Sequence, residues 1–282
     1  MFSCIKTELK KLFSVPNILL TASGILVLLL SATGATVDDG SEVSIFAMMI
    51  SGTQSGYRES IEGSSLWLWR QGTGSWLAVF LPLLLSFGYI TLLSSERLNG
   101  QLRFLLIRSG NRCYCVSKVI SGAVFGGILF LLSYCLFGLL MAAAFPSFSS
   151  FPAEEQNFYL NWIFGESIPL YIIKRAAGAF LYGASGSAFG IGVSIFFRDK
   201  YMLICLPFLL NYSLRQILLK LEMGAWAAGT ESTPFYEALF PDNLLNVVAN
   251  PYWFLTLLLT VLVFAGLTVL FCRITLRKVF TS

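Results

Sequence analysis

The sequence predicts an all-α integral membrane protein: six transmembrane helices, an N-terminal interfacial helix and a cytosolic coupling helix. Three observations carry that expectation. Of the 282 residues, 56% are apolar and only 12% are charged, about half the ~25% charge of an ordinary soluble domain. The apolar residues gather in uncharged runs near the ~20 residues needed to cross hydrocarbon, where a soluble core would alternate them with polar ones. The cations crowd into alternate connecting segments, which is how membrane topology sorts them. The whole chain, 1–282, reads as one transmembrane domain.

The first element is KTELKKLF, basic, with Leu9 and Leu12, and Ile5 just before it, at near-helical spacing. It predicts an interfacial helix lying flat on the bilayer. The first apolar run, 17–36, resembles a signal peptide in its short heart and its SATGAT end, and is read as an anchoring span. Five further spans are expected at 76–93, 119–145, 176–197, 201–219 and 252–272. With both termini in the cytosol, 13 of the 19 cations fall on the inner side. Only three of the 15 acids lie there: Glu8, Glu96 and Asp199. The opposite orientation breaks the positive-inside rule at nearly every loop.

Three outer segments complete the chain. The first, 37–75, is Gly/Ser-rich and carries Trp67 and Trp69, with Trp76 just after it, all three expected as interface anchors. The second, 146–171, is acidic. The third, 222–250, contains PFYEALFPDNLLNVV, too apolar for a free loop and too short to span. It predicts a surface helix or a re-entrant pair broken at Pro241.

Several function classes are excluded. The chain has no histidine, so imidazole bases and His-ligated metals are unavailable. GASGSAFG superficially resembles the motif of intramembrane serine proteases, but Ser185 has no base to take its proton. There is no P-loop, and the basic residues form no stripe for nucleic acid. The six cysteines fall within spans or on the cytosolic side and are expected as reduced thiols. Cys113 and Cys115 form a C-x-C pair with no second pair to complete a metal site. No catalytic, cofactor or metal residue is expected in this chain.

Small residues four apart mark helix packing. Gly183 with Ser187, and Gly186 with Gly190, on the fourth span would let a neighbouring backbone approach, as would Gly122 with Gly126 on the third. Arg215, a turn after Asn211 in the fifth span, is the costliest residue to insert. It either lines a translocation path with Asn211, or snorkels outward or pairs with Glu222, Glu231 or Glu237. Lys174 and Arg175 are expected as interfacial anchors.

The most informative segment is SSERLNGQLRFLLIRSGNRCYCVSK, 94–118. Leu98, Leu102, Leu105 and Leu106 recur at helical spacing, which predicts an amphipathic cytosolic helix. This segment, with the order of elements around it, resembles the type-2 permease superfamily of ABC transporters. The family pattern is an acid, a glycine four residues on, a leucine-rich turn, a basic residue and a lysine opening the next span. Here these are Glu96, Gly100, Leu105–Leu106, Arg108 with Arg112, and Lys118. Ser109–Gly110 stands where the family often has proline.

The resemblance implies a permease subunit of an exporter in a bacterial-type cytoplasmic membrane. ATP and Mg would bind a separate cytosolic ATPase, and a second permease copy or a related permease would complete the path. Glu96, Gly100, Leu102, Arg103, Leu105, Arg108 and Arg112 would form the ATPase-coupling segment. The runner-up is a membrane scaffold or sensor subunit that transports nothing.

Overall fold

A computed structural model describes residues 2–36, 42–51, 60–98, 101–160, 167–194, 199–227, 239–245 and 253–280. The described chain is mostly helical. Helix α1 (Phe2–Leu12) and helix α2 (Val15–Leu30) meet at a bend of 63°. Pro16, inside the first turn of α2, suits a helix start because its missing N–H has no partner to lose there. The first apolar run therefore ends as a helix at Leu30, not at 36. Thr33–Thr36 is strand β1, paired antiparallel with β2 (Glu42–Ser44). Among the described residues this small ribbon is the only sheet, and the rest of the chain remains compatible with an all-α membrane protein. Thr33, Thr36 and Val43 are β-branched residues that favour strand over helix.

The described parts of the 37–75 segment, expected on the outer side, hold helices as well as β2. Helix α3 (Ile45–Ser51) follows β2, and a 3-10 turn (Ile61–Gly63) leads into α4 (Ser65–Gln71). Ser64 caps α4, its hydroxyl accepting from the Trp67 amide, the usual remedy for orphan N–H groups at a helix start. Trp69 is buried, so it is a core residue and not an interface anchor. Trp67 packs edge-on against Tyr159, and Trp76 stays exposed.

Helix α5 (Ser75–Leu98) meets α4 at 66° and continues beyond the expected span. Helix α6 (Gln101–Ser109) is short, and α7 (Asn111–Ala144) is a single 34-residue helix. The 94–118 segment is thus divided among three helices. Gly110 makes the break between α6 and α7 with φ 74°, a conformation side-chain-bearing residues avoid.

Beyond a 3-10 turn (Phe148–Ser150) lie α8 (Ala153–Tyr159), α9 (Ile168–Val193) and α10 (Lys200–Ala227). A 3-10 turn (Pro241–Leu245) and α11 (Trp253–Phe280) close the chain. Of the apolar outer segment only this turn is described. It buries Leu244 and Leu245; 222–227 continue α10, and 228–238 and 246–250, within the stretch expected as a surface helix or a re-entrant pair broken at Pro241, lie outside the described residues.

Three described stretches are long and apolar enough to cross a bilayer: Cys113–Ser150, Tyr201–Gly224 and Trp253–Ile274. Counting each bent pair, α1 with α2 and α4 with α5, as one span raises the number to five. This is a membrane-embedded architecture with three to five candidate spans, against six expected. α9, which covers the expected fourth span, spends its middle on small residues.

Those small residues set the centre of the bundle, where α7 and α9 make the most extensive contact. A Cβ on Gly183 would lie 2.5 Å from the Gly126 carbonyl oxygen. Close backbone approach of this kind maximises van der Waals contact, which must hold helices together where lipid is as apolar as the side chains. α5 and α11 flank α9, and α10 packs chiefly on α5.

Two apolar clusters mark the two ends. One joins Leu12, Tyr89, Leu106, Cys115 and Phe271 near α1 and α6; this is the basic end. The other joins Leu68, Trp69, Tyr134, Phe145, Tyr171 and Leu244 at the opposite end.

Candidate functional site

Two places combine polar chemistry with an opening or an exposed face. The first is a cavity of about 200 Å³ between α5, α9, α10, α11 and the Pro241–Leu245 turn. Its walls are mostly apolar: Leu81, Leu214, Phe240, Leu259, Val263 and Phe264 among them. Arg215 and Asp242 close one side as an ion pair at 3.1 Å, both about one-fifth to one-quarter exposed. The Phe240 ring covers the guanidinium at 5.6 Å, a favourable cation–π geometry. A cavity of ~150 Å³ lined by apolar groups stays dry and takes benzene. This one is larger and has a charged pair at its rim.

Asn211 lies on the same wall with a prior commitment. Pro82 sits inside α5 and has no N–H, so it cannot bond the carbonyl four residues earlier. That carbonyl belongs to Ala78. The Asn211 amide donates to it at 2.9 Å, replacing the lost helix bond from a different helix. Arg215 and Asn211, both expected on a translocation path, thus line one cavity. Asn211 does so while repairing α5.

The packing glycines divide. Gly186 lines the cavity beside Leu85. Gly183 and Ser187 face Gly126 on α7, while Gly190 faces Ser86 and Ile90 on α5. Ser185 also lines the cavity, its hydroxyl donating to the Tyr182 carbonyl.

The second place is the basic end. Lys118 is buried, and so are Glu8 and Glu96. Lys118 Nζ donates to Glu8 Oε2 on α1 and pairs with Glu96 Oε2 on α5 at 2.7 Å. Lys11, more exposed, reaches the other oxygens of Glu8 at 3.4 Å and Glu96 at 3.2 Å. Two cations therefore balance two carboxylates. Tyr114 donates to Glu96, and Tyr89 donates to the Lys118 carbonyl at 2.6 Å. The cluster ties α1, α5 and α7 together at the root of α6.

Burial on α6 differs from the expected leucine face. Leu106 is buried and Leu105 half-buried against the basic-end cluster. Phe104 and Ile107 point outward, 76% and 84% exposed, with Arg108 exposed beside them. Among the described side chains of α6, the exposed apolar ones are therefore Phe104 and Ile107. Gly100 lies outside the described residues, as do the side chains of Leu98, Leu102, Arg103 and Arg112.

Arg175, expected as an interfacial anchor, is fully buried at the opposite end. Its Nε donates to the Tyr134 hydroxyl and Nη1 to the Leu245 carbonyl at 3.0 Å. Nη2 donates to the Arg70 carbonyl and to Thr73 Oγ1, each at 2.9 Å. The rings of Tyr134 and Tyr171 flank it. Lys174 is exposed. Hydropathy could not separate these two neighbours; only the fold does.

No family profile, no curated protein and no solved structure matches the chain.

Proposed function

We propose that the chain is the permease subunit of an ABC exporter of the type-2 superfamily, driven by a separate cytosolic ATPase that binds ATP and Mg. The observation that carries this reading is the junction of α5, α6 and α7. Glu96 and Lys118, the acid and lysine that bracket the resembling segment, meet as a buried ion pair. The short helix between them presents Phe104, Ile107 and Arg108 outward. A rigid knob on a charged root suits force transfer, because the helix cannot tilt without disturbing a buried cluster that is costly to break.

The cavity with Arg215 and Asn211 is then a segment of the translocation path. A second permease copy, or a related permease, completes it. α11 supports that arrangement: only 11% of its apolar stretch is buried within the chain, which leaves most of its surface for lipid or a partner helix. Six spans with both termini cytosolic, in a bacterial-type cell membrane, complete the proposal.

Co-purification tests it. The wild-type chain should bring down a P-loop ATPase whose turnover depends on the membrane subunit. Phe104→Asp with Ile107→Asp should abolish both, because a charge is forced into a desolvated contact. Arg108→Ala should change little, since a rim charge is worth ~0–1 kcal/mol in water. If no ATPase co-purifies with the wild-type chain, the non-transporting scaffold reading takes over.

A further inference from the structure

Outside the ion cluster and the cavity, one pair of adjacent thiols remains at the basic end. Cys4 on α1 and Cys113 on α7 place their sulfurs 3.7 Å apart, and the Cys113 thiol is oriented to donate to Cys4. Both are half-buried, so neither is sealed in the core as Cys115 is. Cys135 and Cys205 are exposed on helices α7 and α10 within apolar stretches. The two helices are already pinned about one turn further along, where Lys118 pairs with Glu8. The sulfurs need to close by about 1.6 Å to reach the ~2.05 Å of a disulfide, a shift shared between two side chains.

The geometry points to a redox modification site: Cys4 and Cys113 form a dithiol that closes to an intramolecular disulfide when met by a peroxide or a small-molecule disulfide. With hydrogen peroxide, one thiolate attacks a peroxide oxygen and becomes a sulfenic acid, releasing hydroxide. The other thiol attacks that sulfur and water leaves. Two thiols are oxidised by two electrons, and one peroxide is reduced to two waters. With oxidised glutathione, one thiolate displaces a glutathione thiolate to give a mixed disulfide, and the second cysteine displaces the other. In a reducing compartment such bonds are transient, which is the behaviour of a sensor and not of a structural staple. Closing the bond adds a covalent tie to the ionic one and fixes α1 against α7, at the root of α6.

The inference does not depend on the transport reading. Its test uses the full chain in lipid nanodiscs treated with hydrogen peroxide or oxidised glutathione, then blocked with N-ethylmaleimide. Monomeric protein is digested and mapped by mass spectrometry without reductant. The expected product joins the Cys4 peptide to the Cys113 peptide, two hydrogens lighter than the reduced pair, as the dominant disulfide. Reductant should reverse it. Cys113→Ser should abolish the joined peptide and leave Cys4 as a glutathione adduct. Deuterium uptake by α1 should slow on oxidation and recover on reduction. The proposal is overturned if Cys4 and Cys113 end as separate adducts, or if joined peptides occur only between chains. Unchanged uptake by α1 despite the bond would overturn the locking role.

Discussion

The two ends of the molecule each bury a cation and satisfy it differently. At the basic end Lys118 sits between two carboxylates, Glu8 and Glu96. At the opposite end Arg175 is held by a phenol, a hydroxyl and two backbone carbonyls. Among the described residues it has no carboxylate partner. The difference follows from the side chains. An ammonium is a compact, strongly hydrated point charge, and taking it out of water needs opposing charge close by. A guanidinium is delocalised, weakly hydrated and presents five donors in a plane, so neutral oxygens and ring faces can satisfy it. The ends also differ in what they join. Lys118 ties helices distant in sequence by charge, while Arg175 ties α9 to α4 and to the Pro241–Leu245 turn by backbone geometry.

The largest expected effect tests the charged end. Lys118→Met leaves Glu8 and Glu96 facing each other with only the half-exposed Lys11 between them. Breaking a buried pair from one side costs about 3–5 kcal/mol, so a large fall in melting temperature in detergent is expected. Replacing all three, with Glu8→Gln and Glu96→Gln added, should recover much of it. A single variant as stable as wild type, or a triple no better than the single, would show that charge balance is not what holds this end.

Arg175→Lys is the matching test at the other end. One ammonium cannot reach acceptors on Tyr134, Leu245 and Arg70 together. Hydrogen bonds to charged groups are worth ~1.5–3 kcal/mol each, and a loss of about 3 kcal/mol is expected although the charge is kept. Wild-type melting behaviour in this variant would mean that charge, not the planar fork, is what the site needs.

The smallest effect comes from a neutral pair that extends the series. Asn211→Leu strands the Ala78 carbonyl beside Pro82, an unpaired buried acceptor costing ~1–3 kcal/mol. About 2 kcal/mol is expected. Pairing it with Pro82→Ala should be less than additive, because that change restores the missing N–H. Full additivity in the double variant would separate Asn211 from the proline.

Much of the fold was legible before the structure. The short amphipathic α1, the apolar stretches of α7, α10 and α11 and the packing glycines follow from composition and spacing, which are local properties of the chain. The errors cluster where local rules stop. The 33–36 segment continues an apolar run by composition but turns into a strand, and Trp69 looks like any interfacial tryptophan until α4 folds onto α7. On α6 the leucines suggested the exposed face, yet Leu106 packs inward and Phe104 and Ile107 remain outside. α6 carries apolar residues beyond its leucines, and sequence alone does not say which of them the bundle covers.

The sequence by itself determined that the chain is embedded in a membrane and which connecting segments are basic. Hydropathy and net charge are sums over neighbours in the chain, so they can be read without coordinates. The tertiary structure alone decided the partners: Lys118 with Glu8 110 positions away, Arg175 with oxygens from three separate segments, and Asn211 with a carbonyl 133 positions away. Those pairings depend on the angles and rotations at which helices pack. Many residues share the spacing that permits such contacts, and only close packing of α7 against α9 and α5 selects the ones that meet.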